Sequence, residues 1–323
     1  MMSVNKVLLT GATGFVGSQL LVNLLEHGCH SVVVASRSDH ASVSHRCQVF
    51  NLGEFGAHTL WHEALVGVDC VVHLAGRAHV LAREANVLEL FRESNTEATL
   101  NLARQAAAQG VRRFVFISSI GVNGALTTGH PFSETSDPAP HADYAVSKLE
   151  AEMGLMQLSK NTEMEVVIIR PPLVYAAHAP GNFRRLLKLV HSGIPLPFGR
   201  VNNSRSMIAL ENLVDLIAVC VGHPAAANQV FLASDGVDFS TGQIIDLLAK
   251  GMGKKTRLVH LPISFLRVSA KLLGKQGVYT QLCGSLQIDS SNARQLLGWV
   301  PPVSAEAAMI RAGQEFSNKV VGS

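Results

Sequence analysis

A tyrosine and a lysine stand four residues apart in the segment YAVSK, at Tyr144 and Lys148. The surrounding sequence is typical of a helix, so the two side chains would lie one turn apart on the same face. A phenol is a weak acid with an unperturbed pKa of ~10, and a neighbouring ammonium group lowers that pKa. We therefore predict that this pair gives or takes a proton while a hydride moves on or off an adjacent carbon.

A hydroxyl group upstream strengthens this prediction. An apolar, strand-like run ends in Ser118 and Ser119, 25 residues before the tyrosine. A serine there could bond the same substrate oxygen as the phenol. On the Tyr-Lys spacing alone, a solvated tyrosine beside a surface lysine would remain the simpler interpretation.

A glycine-rich loop lies near the N-terminus. The apolar run of residues 6–10 leads into GATGFVG, with glycines at 11, 14 and 17, and a segment of helical period follows. Such glycines permit a tight turn and a close approach of the backbone to a pyrophosphate, and the N–H groups of the following helix favour anionic oxygens. Because the loop lies between a strand and a helix, we predict a dinucleotide-binding site.

The apolar pattern of the chain predicts the strands and helices that would hold these residues in place. Strand-like runs alternate with helical segments, and this alternation is typical of a doubly wound parallel α/β sheet, a Rossmann fold. We expect a dinucleotide domain over residues 1–171 and a smaller substrate domain over 172–323, with some segments returning to the sheet. The runs are residues 6–10, 31–36, 46–52, 70–75, 114–119 and 165–170, and later helices are expected near 183–192, 211–222, 240–252 and 304–317.

Composition narrows the function classes. The net charge of +3 is too small, and the basic residues too scattered, for nucleic-acid binding. The N-terminus has no signal-peptide pattern, no apolar run reaches the ~18 residues of a membrane span, and the five cysteines have no metal-like spacing. We expect a cytoplasmic protein without a metal or stable membrane insertion. The segment LPISFLRVSAKLLGK (261–275) is interpreted as an amphipathic helix packed on a domain rather than as a surface anchor.

Taken together, the motifs resemble the extended short-chain dehydrogenase/reductases of the nucleotide-sugar, UDP-glucose 4-epimerase-like type. The resemblance rests on GATGFVG, HLAG (73–76), Asn95, FISSIGVNG (116–124), YAVSK and RPPLVY (170–175), in the expected order. It implies an NAD(P) domain, a UDP-sugar substrate and, as in many relatives, a homodimer formed through residues 89–109 and 142–159. Ser119, Tyr144 and Lys148 would be catalytic, supported by Asn95 at the start of a long helix.

The resemblance also implies contact residues. Asn182 and Arg205 would bind the nucleotide diphosphate, and Asp289 would cap a helix. The expected cofactor contacts are Gly11, Thr13, Gly14, Phe15, Val16, Gly17, Ser36, Arg37, Asn51, Leu52, Leu74, Ala75, Gly76, Tyr144 and Lys148. The pattern departs from the family at Leu173, Ala176 and Asn123, which weakens the expected sugar contacts.

The identity of the nicotinamide cofactor depends on the end of the second strand. NAD-binding relatives usually carry a carboxylate there for the ribose hydroxyls, whereas this chain has Ser36 and Arg37. A hydroxyl and a guanidinium could bind the 2′-phosphate of NADP. NADPH is therefore favoured and NAD stays open, because Arg37 could instead stack on adenine or face water.

Two reactions fit the same catalytic set. The absent carboxylate favours a reductase that draws on a pool of cofactor, often NADPH. SSIGVNG (118–124), PFSE (131–134) and the segment 181–199 resemble a bacterial surface-polysaccharide (O-antigen) subgroup. That likeness favours reduction of UDP-4-keto-6-deoxy-N-acetylglucosamine to UDP-N-acetylquinovosamine or its C4 epimer. An NAD-dependent UDP-hexose or UDP-N-acetylhexosamine 4-epimerase is the alternative, and a non-catalytic NADP-binding sensor is the least favoured.

Overall fold

The central sheet contains the strands that lead into the predicted motifs. The computed structural model describes residues 4–28, 31–38, 47–78 and 86–321, and within them seven parallel strands form one sheet in the order β10-β6-β5-β4-β1-β2-β3. The strands are β1 (Lys6–Thr10), β2 (Ser31–Ser36), β3 (Gln48–Asn51), β4 (Cys70–His73), β5 (Arg113–Ile117), β6 (Glu165–Arg170), β7 (Val174–Tyr175), β8 (Arg205–Ser206), β9 (Ile208–Ala209), β10 (Val230–Leu232) and β11 (Asp238–Phe239). The predicted run 46–52 begins at Arg46, which lies outside the described residues.

Helices cover both faces of this sheet, so the predicted doubly wound Rossmann fold is confirmed. Leu8 packs in one buried cluster, whereas Val7 and Leu9 pack in another on the opposite face, as the two-residue period of a strand requires. The helices are α1 (Phe15–Asn23), α2 (His62–Leu65), α3 (Val87–Phe91), α4 (Ala98–Ala108), α5 (Asp143–Asn161), α6 (Gly181–His191), α7 (Leu210–Gly222), α8 (Thr241–Gly251), α9 (Ile263–Leu272), α10 (Gln276–Cys283), α11 (Ser291–Leu297) and α12 (Ala305–Val321).

Strand β10, from the C-terminal part of the chain, lies at one edge of the sheet. In β10, Val230 pairs with Ile168 of β6 in parallel register. All carboxyl ends of the seven strands therefore point to one edge, where ligands of open α/β sheets bind. Thr10, His73 and Ile117 stand at this edge on β1, β4 and β5.

The prediction that the long helix begins at Asn95 was wrong. Asn95 does not begin it: α3 begins at Val87, a π-helical turn spans Arg92–Glu97, and α4 follows. Asn95 lies inside that turn and is fully buried. A π-helical turn inserts an extra residue into the helix and is often found at functional sites, and the apolar period that guided the prediction does not reveal it.

Candidate active site

Three glycines bring the first loop close to its neighbours. Gly11 has a φ of +75°, and a Cβ there would lie 2.8 Å from the Ala75 nitrogen. A Cβ on Gly17 would lie 2.0 Å from the Gly11 carbonyl oxygen, and the Gly14 N–H donates to that same oxygen at 3.0 Å. Side chains at Gly11 and Gly17 are therefore excluded, so the loop keeps an open backbone surface.

The helix that follows the loop presents its N-terminus to that surface. Gly14 is the N-cap of α1, and no side chain caps the first turn. The residues at this end, including Thr13, Phe15 and Val16, contribute backbone groups rather than charges. An uncapped helix N-terminus behind a glycine-rich loop fits the pyrophosphate of a dinucleotide.

The ends of β2 and β3 bring four more of the expected cofactor residues together. Ser36 pairs with Asn51 in parallel register, and the Leu52 N–H donates to the Ser36 carbonyl at 3.0 Å. The Ser36 hydroxyl donates to the Ser38 carbonyl, and the Arg37 guanidinium lies 3.5 Å from the Glu54 carboxylate. Glu54 thus places a negative charge beside the group expected to bind a 2′-phosphate.

Tyr144 and Lys148 lie on one face of α5, as predicted. The Lys148 ammonium group donates to the Ile117 carbonyl at 3.0 Å, at the end of β5. It lies 4.5 Å from the centre of the Phe116 ring and 6.0 Å from the centre of the Tyr144 ring. Lys148 is buried, whereas Tyr144 retains partial exposure. The lysine is therefore fixed by the sheet, next to a partly exposed phenol.

The net shift of the Tyr144 pKa is opposite to the lowering that was predicted. Protein atoms surround the Tyr144 hydroxyl, and this desolvation raises its pKa to about 12. Burial also disfavours the charged form of Lys148 and lowers its pKa to about 8, against the opposing effect of Glu152. Desolvation thus sets the direction of the Tyr144 shift, and the phenol stays protonated near neutral pH.

Of the two serines, only Ser119 is placed towards Tyr144. The Ser119 hydroxyl oxygen accepts the Gly121 N–H at 3.1 Å and caps the short turn Ile120–Val122. A Cβ on Gly121 would lie 3.3 Å from that oxygen and 3.4 Å from the Ala145 Cβ, so the hydroxyl lies beside the first turn of α5. Ser118 donates instead to the buried Glu152 carboxylate.

Asn95 connects the loop after β4 to α5. Its side-chain oxygen accepts the Arg77 N–H at 2.7 Å, and its amide donates to the Arg77 carbonyl and to the Ser147 hydroxyl. A Cβ on Gly76 would lie 3.0 Å from the Asn95 side-chain oxygen and 3.4 Å from the Lys148 nitrogen. Ser119, Tyr144, Lys148, Asn95 and the end of HLAG are thus brought to one place.

A chain of hydrogen bonds through His73 was not foreseen. The Ala75 N–H donates to Thr10 at 3.2 Å, and Thr10 lies 2.8 Å from His73 Nδ1. His73 Nε2 lies 3.0 Å from Thr99, whose hydroxyl donates to the Asn95 carbonyl. Because the Thr99 proton is committed to that carbonyl, His73 must donate from Nε2 and accept at Nδ1.

Burial keeps His73 neutral. The side chain is 1% exposed, and desolvation together with the nearby Lys148 charge lowers its pKa to about 3. In the sequence, the signal for this role is a histidine that ends an otherwise apolar strand. Positioning of the loop after β4, rather than proton transfer, is what this geometry supports.

A buried ion pair next to the same site was not predicted either. The Arg170 guanidinium donates to both oxygens of the Glu152 carboxylate, and its other nitrogen donates to the Asn123 side-chain oxygen at 3.0 Å. Glu152 and Arg170 are 3% and 6% exposed. Glu152 follows Tyr144 by two helical turns, a spacing that could have indicated a shared face.

The two expected substrate residues lie elsewhere, in contact with a single segment. The Asn182 amide donates to the Gln281 side-chain oxygen at 2.7 Å, and the Arg205 guanidinium donates to the Gly284 carbonyl at 3.0 Å. Burial lowers the pKa of Arg205. Asp289 accepts the N–H of Ser291, the first residue of α11, at 3.0 Å, but the N-cap position itself is Ser290, so the predicted cap is shifted by one residue.

Comparison with known proteins agrees with this arrangement. Residues 7–233 match the NAD dependent epimerase/dehydratase family. The chain is 45% identical to a UDP-glucose 4-epimerase of Vibrio cholerae, over 96% of this chain and 95% of that protein. It is 25% identical to an N-acetyl-α-D-glucosaminyl-diphospho-ditrans,octacis-undecaprenol 4-epimerase of Escherichia coli O157:H7, over 96% and 95%. The crystal structure of the UDP-glucuronic acid 4-epimerase from Bacillus cereus with NAD superposes with a TM-score of 0.78 at 22% identity, covering 98% of this chain and 99% of that one.

Proposed function

The chain belongs to the NAD-dependent epimerase/dehydratase family, and we propose that it acts as a 4-epimerase of a UDP-hexose or UDP-N-acetylhexosamine. The observation that carries this proposal is the convergence of Ser119, Tyr144 and Lys148 beside a glycine loop shaped for a pyrophosphate. The 45% identical relative, a UDP-glucose 4-epimerase, favours epimerisation over the ketone reduction that the sequence motifs had favoured.

NAD bound at this site would supply an acceptor and donor of hydride for carbon 4 of the sugar. Gly11, Gly14 and Gly17 with the N-terminus of α1 would hold its pyrophosphate, because the glycines allow close approach and no side chain caps the first turn. Gly76 and Lys148 would lie along the nicotinamide half. We expect Lys148 to bind the adjacent ribose, since its ammonium group is fixed at the strand ends.

Tyr144 would transfer the proton of the sugar hydroxyl. In the reducing half of the reaction, the protonated phenol gives its proton to the forming alkoxide. In the oxidising half it must first lose that proton, and a pKa raised to about 12 makes positive charge near the phenol necessary. Lys148 supplies such a charge, and Ser119 would donate a hydrogen bond to the same sugar oxygen.

The substrate side is argued from Asn182 and Arg205. Arg205 is half-buried and carries the positive charge that a nucleotide diphosphate requires, and Asn182 adds an amide. Binding of the diphosphate at these residues, remote from carbon 4, would position the sugar for reaction. A homodimer formed through residues 89–109 and 142–159 stays a prediction.

A 4-ketoreductase using NADPH is the second candidate. Ser36 and Arg37 at the end of β2 favour it, because neither group would repel a 2′-phosphate. Glu54, which pairs with Arg37, counts against it. The protonated phenol suits reduction directly, whereas epimerisation also requires its deprotonation in the oxidising half.

One experiment separates the two. The purified protein is first incubated with UDP-glucose and with UDP-N-acetylglucosamine, and the products are resolved by chromatography. Formation of the galacto sugar without net change in nicotinamide absorbance would support the epimerase. If instead NADPH is consumed only with UDP-4-keto-6-deoxy-N-acetylglucosamine, the proposal fails and the reductase replaces it.

A further inference from the structure

Helices α9 and α10 form a pair that adds almost nothing to the core, and we call them the basic helix pair (Ile263–Leu272 and Gln276–Cys283). Neither helix contains a buried residue. The sequence had predicted that the first of them packs on a domain through one apolar face. That prediction was wrong in part, since only Leu266 of this helix packs against the apolar cluster of the C-terminal region.

The larger apolar face of α9 points away from the protein. Phe265, Val268 and Leu272 follow the spacing i, i+3, i+7 and therefore share one side of the helix. They are 58%, 55% and 82% exposed, and Leu273 beside them is 69% exposed. Large apolar side chains grouped on one exposed face mark an interaction surface, whereas single exposed ones are ordinary.

The charge around this face has one sign. Residues 247–288 contain seven lysines and arginines and no aspartate or glutamate, so the formal charge of this segment is +7. Because the net charge of the whole chain is +3, the remaining residues together carry −4. Arg267, Lys271 and Lys275 lie in or directly after α9, and all three are exposed. Lysine and arginine beside an apolar helix face are typical of segments that lie in the interface of an anionic bilayer.

We propose that the basic helix pair docks on the surface of a membrane that contains anionic lipids. Phe265, Val268 and Leu272 would enter the acyl boundary, and the neighbouring cations would meet lipid phosphates. Among the described residues, no helix is long and apolar enough to cross a bilayer, so contact would be confined to the interface. A second copy paired through the same face fits less well, because it would set Arg267, Lys271 and Lys275 against the same three cations.

The docked orientation would involve the substrate side of the site. Gln281 of α10 accepts the Asn182 amide at 2.7 Å, and the Gly284 carbonyl just after it accepts from Arg205 at 3.0 Å. Membrane contact at α9 and α10 would therefore hold Asn182 and Arg205 near the bilayer. This inference does not depend on which sugar the enzyme converts.

Vesicle flotation with the full-length protein tests the proposal. Vesicles of phosphatidylcholine alone are compared with vesicles containing phosphatidylglycerol, at low and high salt. We expect flotation with the anionic vesicles only, and less of it at high salt. The variants F265S/L272S and R267E/K271E should each reduce vesicle affinity by about tenfold or more. A Val300→Ser variant is the matched control, because Val300 is 61% exposed outside this segment.

The outcomes are separable from failure of folding or of the reaction. All these side chains are exposed, so thermal unfolding and turnover of a soluble UDP-sugar should match the wild type. The proposal is overturned if the protein ignores anionic vesicles, if it floats equally well with neutral ones, or if the variants bind as the wild type does. Sedimentation that shows a dimer lost in F265S/L272S would assign the face to a second copy instead.

Discussion

On the cofactor side of the candidate site, Lys148 and Asn95 are buried and bonded to neighbouring strands and loops. On the substrate side, Asn182 bonds to the Gln281 side chain in α10, and Arg205 bonds to the Gly284 carbonyl just after it. The two helices of the basic helix pair contain no buried residue. The first region is thus held by the sheet from several directions. The second is held by a few polar contacts to a loosely packed element.

This difference corresponds to two tasks. Proton and hydride transfer need groups fixed within a fraction of an ångström, which buried and mutually bonded side chains provide. Binding of a nucleotide diphosphate remote from the reacting carbon tolerates less exact placement, and exposed segments provide such contacts at little cost in stability. We expect substitutions on the cofactor side to change rate or stability strongly, and those on the substrate side to change mainly affinity.

The largest effect is expected from Tyr144→Phe. Removal of the phenol proton should lower kcat by about 10²- to 10⁴-fold, since the phenol is the acid and base of the proposed reaction. The dissociation constant for NADH, measured by fluorescence, should stay within error of the wild type. Turnover that persists within tenfold would contradict the role of Tyr144 and weaken the contrast between the two sides.

The next effect concerns the buried ion pair. Glu152→Gln leaves the Arg170 charge buried without its partner and should lower the free energy of unfolding by about 3–5 kcal/mol. Glu150→Gln is the control on the same helix, because the pair of Glu150 with Arg92 is partly exposed and should contribute about 1 kcal/mol or less. Urea unfolding measures both, and equal losses would show that burial does not distinguish these carboxylates.

A smaller effect is expected from His73 in acid. Its native pKa of about 3 lies below the ordinary 6.5, so between these values the unfolded chain binds more protons and the free energy of unfolding falls as pH falls. The contribution is at most about 1.4 kcal/mol per pH unit. His73→Gln removes the titrating group, and its unfolding free energy should fall less steeply from pH 6.5 downward. Parallel curves for the two proteins would disprove a neutral, buried His73.

The smallest effect concerns the exposed edge of the cofactor side. Glu54→Gln frees Arg37 from its carboxylate partner, and the affinity for NADPH relative to NADH should rise by about fivefold or less, as expected for an exposed pair. Titration of both cofactors by fluorescence measures this ratio. An unchanged ratio would mean that Arg37 does not meet a 2′-phosphate.

The parts that local pattern governs could be predicted from sequence. The strand runs, the glycine loop and the Tyr144–Lys148 face follow from periods of two and 3.6 residues and from glycine geometry. Asn95 was expected at a helix start because the π-helical turn leaves no mark in the apolar pattern. Glu152 and Arg170 come from separate elements, and their pairing depends on tertiary packing.

A sequence also does not show how strongly a side chain is desolvated in the fold. Proximity of Lys148 to Tyr144 was predicted, yet the sign of the pKa shift depends on how many protein atoms surround the phenol. The outward face of α9 was missed for the same reason. An amphipathic pattern shows that a helix has two faces, and only the fold shows which one is left exposed.

The hydrogen-bond chain through His73 has a direction. From the Ala75 N–H through Thr10, His73 and Thr99 to the Asn95 carbonyl, every donor points the same way. The bond dipoles therefore add, and each bond polarises the next. No single hydroxyl can reverse without leaving two neighbours facing donor to donor or acceptor to acceptor. The chain thus behaves as one cooperative unit that keeps a single histidine tautomer and links the loop after β4 to the helix that carries Asn95.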